Sequence, residues 1–140
     1  MVAVDASILV RIVAQDIPGE AKLARDIVTN AAPASLLLDR LILAELNYVL
    51  KSLYGYERKD IITILRGFMG DTKFRVVNSE LVDQLVDLYE VEKSLSFEDC
   101  WLLAQKRASK VTDIITLDKQ LLKRLYWHNN TILIPFQYYD

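Results

Sequence analysis

The chain has 140 residues, of which 52% are apolar and 26% charged, and its net charge is −2 at pH 7. This composition suits one folded domain, residues 1–140, and excludes a disordered chain. We expect no membrane span, because no apolar stretch is long enough, and no signal peptide, because Asp5 stands where basic residues would be needed. The weak net charge excludes binding of nucleic acid by the whole surface. The lone cysteine, Cys100, excludes an intrachain disulfide and favours a reducing, cytoplasmic setting.

The first half of the chain alternates short apolar runs with longer helical patterns. Apolar residues recur at helical spacing in 40–55 and 57–70, and Gly55 and Gly70 are the predicted stops. Pro18 suits the first turn of a helix, where a missing N–H costs nothing. The predicted elements are a strand at 2–4, helices at 7–14 and 18–30, a strand at 35–38, and a helical hairpin at 40–55 and 57–70.

The second half continues this alternation. Ser96 is followed three residues later by Asp99, which is the spacing of a helix-opening capping pair. The predicted elements are strands at 74–78, 113–116 and 131–135, a helix at 79–93, a helix opened by Ser96, and a helix at 118–125. Continuous apolar strands between helices predict an α/β fold whose parallel sheet is covered on both faces. Ligands of such sheets bind beyond the carboxyl ends of the strands.

Four acidic residues fall where that ligand edge is expected. Asp5 ends the first strand, and Asp118 follows the fourth strand by two residues. Asp99 lies in the first turn of the helix before the fourth strand, and Glu45 lies early in the helix after the second. Packed carboxylates repel one another, and Mg²⁺ or Mn²⁺ relieves that repulsion because these ions prefer oxygen ligands. The pattern predicts a metal site that activates water for attack on a phosphodiester.

Each acid also has a simpler explanation. Asp99 taken alone is best explained as a helix-capping acid, and Asp118 serves equally well as the N-cap of the helix that follows it. Glu45 can be a solvent-facing helix residue, although its neighbours in the sequence are apolar. Asp5 fits a purely structural role least, since a strand tip beside the core seldom needs a charge. One shared site explains all of them together better than separate coincidences do.

Four segments carry a resemblance to a known family: "VDAS", "LILAELNYVLKSLYG", "LSFEDCWLLAQKRA" and "IITLDKQLLKRL". In this order and spacing they resemble the PIN domains, specifically the VapC-type ribonuclease toxins of prokaryotic toxin–antitoxin pairs, over nearly the whole chain. The resemblance implies a three-layer α/β/α sandwich with a five-stranded, mainly parallel sheet. It also implies a Mg²⁺- or Mn²⁺-dependent endoribonuclease.

The family's acidic site carries over position by position. Asp5 matches the first family aspartate, Glu45 the helix glutamate, Asp99 the aspartate that follows "SF", and Asp118 the acid of "TLD". Ser7 matches a position that usually holds a small polar residue, and its hydroxyl is expected to support the site. The resemblance therefore implies the same four metal ligands that the sheet edge suggests.

This sequence departs from the family pattern in two places. Ala6 stands where the family commonly has Thr or Ser, which removes one hydroxyl from the site. The chain reads "SKVTD" before the fourth strand, where the family usually has a glycine. Asp113 is expected at the opposite end of that strand and is left out of the site. None of these departures removes one of the acids.

The expected chemistry is hydrolysis that leaves a 5′-phosphate and a 3′-hydroxyl. Glu45 binds the ion directly or through water, or orients the attacking water. A histidine-based mechanism is not expected, because His128 is the only histidine, and Cys100 is expected to be a core residue. Arg11, one helical turn beyond Ser7, is the best candidate for a phosphate contact with RNA. The exposed lysines and arginines elsewhere are most simply solvated helix faces; Lys51, Arg58, Lys59 and Lys119 are candidates for a basic rim.

The stretches "LILAELNYVL" and "ITILRGFM" are more apolar than one helix face needs. Either a partner covers part of them or both are core helices of a tightly packed domain. The resemblance implies a homodimer and a small antitoxin protein that lays a helix in a groove. A rival hypothesis from a different class is a PIN-like module that binds RNA or protein without cutting, although such a module would be expected to have lost an acid.

Overall fold

The computed structural model describes residues 1–108 and 111–127, and the chain has two compact units, Met1–Val82 and Asp83–Asp140. The first unit holds β1 (Val2–Ala3), α1 (Ala6–Ala14), α2 (Pro18–Asn30), β2 (Leu36–Leu38), α3 (Arg40–Ser52), α4 (Arg58–Gly70) and β3 (Phe74–Val76). Helix α5 (Ser79–Val91) begins there, and the second unit goes on to α6 (Phe97–Arg107) and α7 (Lys119–Trp127).

The sheet of the described residues is parallel, with the strand order β1-β2-β3. Its register pairs Ala3 with Leu37, and Leu37 in turn with Arg75. Two helices join each strand to the next, which is the crossover that parallel pairing requires. All the carboxyl ends of these strands therefore lie at one edge of the sheet, as the sequence predicts.

Strand β1 is less buried than expected. The sequence predicts a buried strand at 2–4, yet the side chain of Val2 is 62% exposed and only Val4 is buried. The reason is the position of β1 as the outer strand of the described sheet, where it has a neighbour on one side only. The central strand shows the contrast, since Leu36 and Leu38 are both buried.

The core of the first unit lies between the sheet and its helices. Helix α1 packs against α2 and α3, and α3 packs against α4, which confirms the predicted hairpin. Leucines three and four apart give α3 one apolar stripe, and burying each is worth about 1.5–3 kcal/mol. The fully buried leucines and isoleucine of this unit are Leu9, Leu38, Leu43, Leu46, Leu50, Ile61 and Leu65.

The second unit has its own apolar core. The rings of Tyr89 and Phe97 meet edge to face with centroids 5.3 Å apart, an arrangement that aromatic pairs favour. Cys100 is fully buried on α6, which confirms its prediction as a core residue. An ion pair of 3.1 Å joins Arg124 of α7 to the buried carboxylate of Glu92.

The α/β class is confirmed, with three of the five predicted strands in the described sheet. The fourth, at 113–116, contains only an isolated bridge residue, Ile114, while Ile115 and Leu117 are exposed. A single bridge residue pairs at one position, whereas a strand needs pairing at consecutive residues. The fifth, at 131–135, and His128 lie outside the described residues. No helix within residues 1–108 and 111–127 is long and apolar enough to span a bilayer.

Candidate functional site

Asp5 forms the N-cap of α1 at the carboxyl end of β1. Its extended backbone, with φ −83° and ψ 153°, directs one carboxylate oxygen toward the first turn. That oxygen, Oδ2, accepts hydrogen bonds from Ser7 Oγ at 2.6 Å and from the Ser7 backbone N–H at 3.4 Å. The hydroxyl bond is the main cause that holds the pKa of Asp5 below its usual value. Asp5 is therefore a charged, exposed group whose carboxylate is oriented by Ser7.

Glu45 lies on the exposed side of α3. Leu43 and Leu46 beside it are buried, so the apolar neighbours in the sequence belong to the opposite face of the helix. Since α1 and α3 pack together and both begin at the carboxyl edge of the sheet, Asp5 and Glu45 belong to neighbouring elements. The structure thus gives Glu45 the solvent access that a ligand or a water-orienting group needs.

Asp39 is an acid that sequence reasoning did not include in the site. It follows β2 as Asp5 follows β1, two residues beyond the paired residues Leu37 and Ala3. Its Oδ1 accepts the backbone N–H of Leu41 at 2.9 Å, so it is the N-cap of α3. The signal was present in the sequence, because "LLLD" repeats the pattern of "VAVD".

In the second unit, Asp99 occupies the third position of α6. Its Oδ2 accepts the backbone N–H of Ser96 at 3.3 Å, and its own N–H donates to Ser96 Oγ at 3.1 Å. These reciprocal bonds form the capping box predicted from the S-x-x-D spacing. The structural explanation of Asp99 is therefore correct, and the carboxylate is half-buried at the start of the helix.

Asp118 caps the N-terminus of α7. Its Oδ1 accepts the backbone N–H of Gln120 at 2.8 Å and of Leu121 at 3.1 Å. Its own N–H donates to Thr116 Oγ1 at 3.0 Å, which fixes the turn that enters the helix. Asp118 is exposed.

The three aspartates share one bonding pattern. Within the described part of the chain, the side-chain hydrogen bonds recorded for Asp5 and Asp99 all fall on Oδ2, and those of Asp118 all fall on Oδ1. Each carboxylate is thus oriented through one oxygen while its second oxygen is available to a ligand. Ionised carboxylate oxygens are the donors that Mg²⁺ and Mn²⁺ prefer, so the chemistry of the set suits such an ion. Nevertheless, no group of three or more acidic, histidine or cysteine side chains in residues 1–108 and 111–127 is arranged to hold a metal ion.

Arg11 belongs to an ion-pair network in the first unit. Its Nη1 donates to Asp16 Oδ1 at 2.7 Å and to the Tyr54 hydroxyl at 3.2 Å, and its Nε lies 3.7 Å from Glu20. The Tyr54 hydroxyl donates in turn to Asp16 Oδ2 at 2.8 Å. The Tyr54 bond is the main cause that lowers the pKa of Asp16. The predicted phosphate-binding arginine therefore already has anionic neighbours.

Asp113, which was excluded from the predicted site, has a separate role. Its Oδ1 lies 3.6 Å from Lys106 Nζ, and both side chains are largely buried. The same lysine also donates to the backbone carbonyl of Thr112. Asp113 is thus accounted for by an ion pair with α6.

Residues 2–127 match the PIN domain, and the chain belongs to the PIN-domain family. PIN domains are commonly nucleases, so membership indicates hydrolysis of phosphodiester bonds. The match includes residues of both units, while the single domain over 1–140 stays a prediction. No curated protein and no solved structure was found with significant similarity to the chain.

Proposed function

We propose that this PIN domain is a Mg²⁺- or Mn²⁺-dependent endoribonuclease whose metal ligands are Asp5, Glu45, Asp99 and Asp118. The observation that carries the proposal is the shared bonding pattern of the three aspartates. Each is fixed at a helix N-terminus through one oxygen. An ionised, oriented carboxylate with a second oxygen available is what binding of a hard cation requires.

A bound divalent cation would supply charge stabilisation at the phosphate and activation of water. Around it, Ser7 holds the Asp5 carboxylate in one orientation through the 2.6 Å hydrogen bond. Glu45 orients the attacking water by accepting its hydrogen bond. Water adds to phosphorus and the bond to O3′ breaks, so that the oxygen of water stays on a 5′-phosphate and a proton from water goes to O3′, which becomes the 3′-hydroxyl.

Arg11 is the proposed phosphate contact. A guanidinium carries five N–H donors, and the recorded bonds to Asp16 and Tyr54 both use Nη1. The donors on Nη2 can face a phosphate, while Asp16, Glu20 and Tyr54 hold the side chain in place. The carboxylates of Asp16 and Glu20 weaken the net attraction of the Arg11 guanidinium for RNA. The proposed contact of Arg11 with a phosphate therefore positions the RNA strand and adds little affinity.

We propose further that the protein is the toxin of a VapBC-type pair, acting as a homodimer in a cytoplasmic setting and inhibited by a small antitoxin. Support comes from the family and from an apolar groove of about 540 Å³ in the first unit. Its lining comprises Ile12, Val13, Tyr56, Ile64, Gly67, Phe68 and Asp71. Such a groove suits the apolar face of a helix from a partner.

Cleavage of a mixed RNA pool tests the nuclease proposal. Purified protein is assayed in Mg²⁺, in Mn²⁺ and in EDTA, beside Asp5→Asn and a control, Asp26→Asn. Asp26 is an exposed aspartate of α2 paired with Lys22 at 2.7 Å, so its substitution should leave cleavage unchanged. We expect cleavage that requires metal and is lost in Asp5→Asn. Absence of cleavage in every metal would favour the non-catalytic module, and cleavage that survives in Asp5→Asn would exclude the proposed site.

A further inference from the structure

The exposed side of α3 carries more than Glu45. Tyr48 follows three residues later and is 64% exposed, and Lys51 follows after three more and is also exposed. Residues three apart are neighbours on a helix surface and rise by about 4.5 Å along its axis. We call Glu45, Tyr48 and Lys51 the α3 row. Core packing does not explain the exposed ring, because the apolar stripe of α3 lies on the buried leucines of the opposite side.

The three side chains of the row match three parts of a nucleotide strand. The carboxylate of Glu45 belongs to the proposed site at the scissile phosphate. An exposed aromatic ring is a stacking surface for an unpaired base, and a lysine ammonium attracts a backbone phosphate. Lys51 also lies in the last turn of α3, where a positive charge interacts favourably with the helix dipole. The row thus places an exposed ring and an exposed cation in sequence beyond the acid on one helix.

We propose that Tyr48 is a substrate-contact residue on which an unpaired base of single-stranded RNA stacks, next to the phosphate that is cut. This inference rests on the proposed function and adds to it a residue that contacts the substrate. A base inside a duplex has both faces occupied and cannot stack on the ring. The contact with Tyr48 therefore requires an unpaired nucleotide next to the phosphate that is cut.

Anisotropy of a fluorescently labelled single-stranded RNA of mixed sequence tests the inference. Every version of the full chain carries Asp5→Asn, so that binding is measured in Mg²⁺ without cutting. Tyr48→Ala should weaken binding about 5- to 100-fold, the usual effect of removing one base-stacking side chain. Tyr48→Phe, which keeps the ring, should bind within about 2-fold of the parent. The matched control is Leu23→Ala on α2, which removes a side chain that is 59% exposed and should change nothing.

A second series uses the same RNA with one nucleotide at a time replaced by an abasic residue. With Tyr48 present, removal of the contacting base should weaken binding as much as Tyr48→Ala does on the intact RNA. In the Tyr48→Ala chain, removal of that base should leave the affinity unchanged. If the abasic replacement weakens RNA binding equally with and without Tyr48, the inference is overturned. Unchanged RNA binding by Tyr48→Ala also overturns it, as does a change in oligomeric mass without a change in RNA affinity, which would place Tyr48 in a protein interface.

The outcomes separate this inference from the nuclease proposal. Base-dependent binding through Tyr48, together with no metal-dependent cutting by the chain that retains Asp5, would uphold the contact and reject the nuclease. Metal-dependent cutting, together with RNA binding that does not depend on Tyr48, would uphold the nuclease and reject the contact. Absence of RNA binding by every version, together with no metal-dependent cutting by the chain that retains Asp5, would overturn both.

Discussion

The hydroxyl of Ser7 donates a hydrogen bond of 2.6 Å to Oδ2 of Asp5, and the Ser7 backbone N–H donates to the same oxygen at 3.4 Å. Two residues of one short motif thus fix the direction of a carboxylate at the carboxyl end of a parallel strand. A metal ligand gains from such support, because the groups behind a ligand set its orientation and its charge. This pair is the best-defined part of the candidate site.

Replacing Ser7 by alanine should raise the pKa of Asp5 toward its ordinary value, because the hydroxyl bond is the largest cause of the lowered pKa. A lowered folded-state pKa adds stability that is present above the unfolded pKa, about 3.9, and is lost as pH falls through the folded pKa. Ser7→Ala should therefore unfold at a higher pH on acidification. Carbon-13 NMR titration of the Asp5 carboxyl measures the shift directly, and an unchanged pKa would contradict this account of the Ser7 hydroxyl.

Substitutions at Asp118 should separate helix capping from metal binding. Asparagine keeps the acceptor for Gln120 and Leu121, whereas alanine loses it and should cost about 1 kcal/mol of unfolding free energy. Both variants lack a charged ligand, so both should lose cleavage. Urea denaturation and the RNA assay are measured on the same preparations. Full activity in Asp118→Asn would show that this residue is a helix cap and nothing more.

The network around Arg11 gives a prediction that is independent of the nuclease chemistry. Tyr54→Phe removes the bond that the Tyr54 hydroxyl accepts from Arg11 and the bond that it donates to Asp16. Unfolding free energy should fall by about 1 kcal/mol, and the pKa of Asp16 should rise because its largest lowering cause is gone. Tyr56→Phe is the control, since it keeps the edge-to-face ring contact with Tyr54. Equal stability of Tyr54→Phe and the parent would contradict the role given to the network.

Helix boundaries were the most predictable feature of this fold, because their signals are local. Helix α2 begins at Pro18 and ends at Asn30 as predicted, and α6 opens with the predicted capping box. Helix α3 ends three residues before the predicted stop, and Gly55 instead lies in the following turn with φ +70°. A glycine indicates that a left-handed residue is needed near the end of a helix, but it does not fix the residue at which the helix ends. That end depends on where the last helical hydrogen bond forms, which is decided by the residues before the glycine.

Strand pairing and the acid positions were harder to predict, because both depend on distant residues. The run at 113–116 has two isoleucines at its centre, the residue type that strands favour, yet it contains only the bridge residue Ile114. For the acids, the S-x-x-D spacing predicts the capping role of Asp99, and an N-cap role was one of two explanations of Asp118; the structure shows the capping bonds of both. Their convergence into one site is a relation between distant parts of the chain, and it stays a prediction.

Titration of the full chain with Mn²⁺ by calorimetry tests the central claim most directly, because it reads metal binding without depending on the RNA target. The parent is compared with Asp5→Asn, Asp99→Asn and the control Asp26→Asn. We predict that the parent and the control bind Mn²⁺ alike, and that each of the other two weakens the same binding event by at least about 10-fold. Binding that is unchanged in Asp5→Asn and Asp99→Asn, or absent from the parent, would contradict a shared metal site.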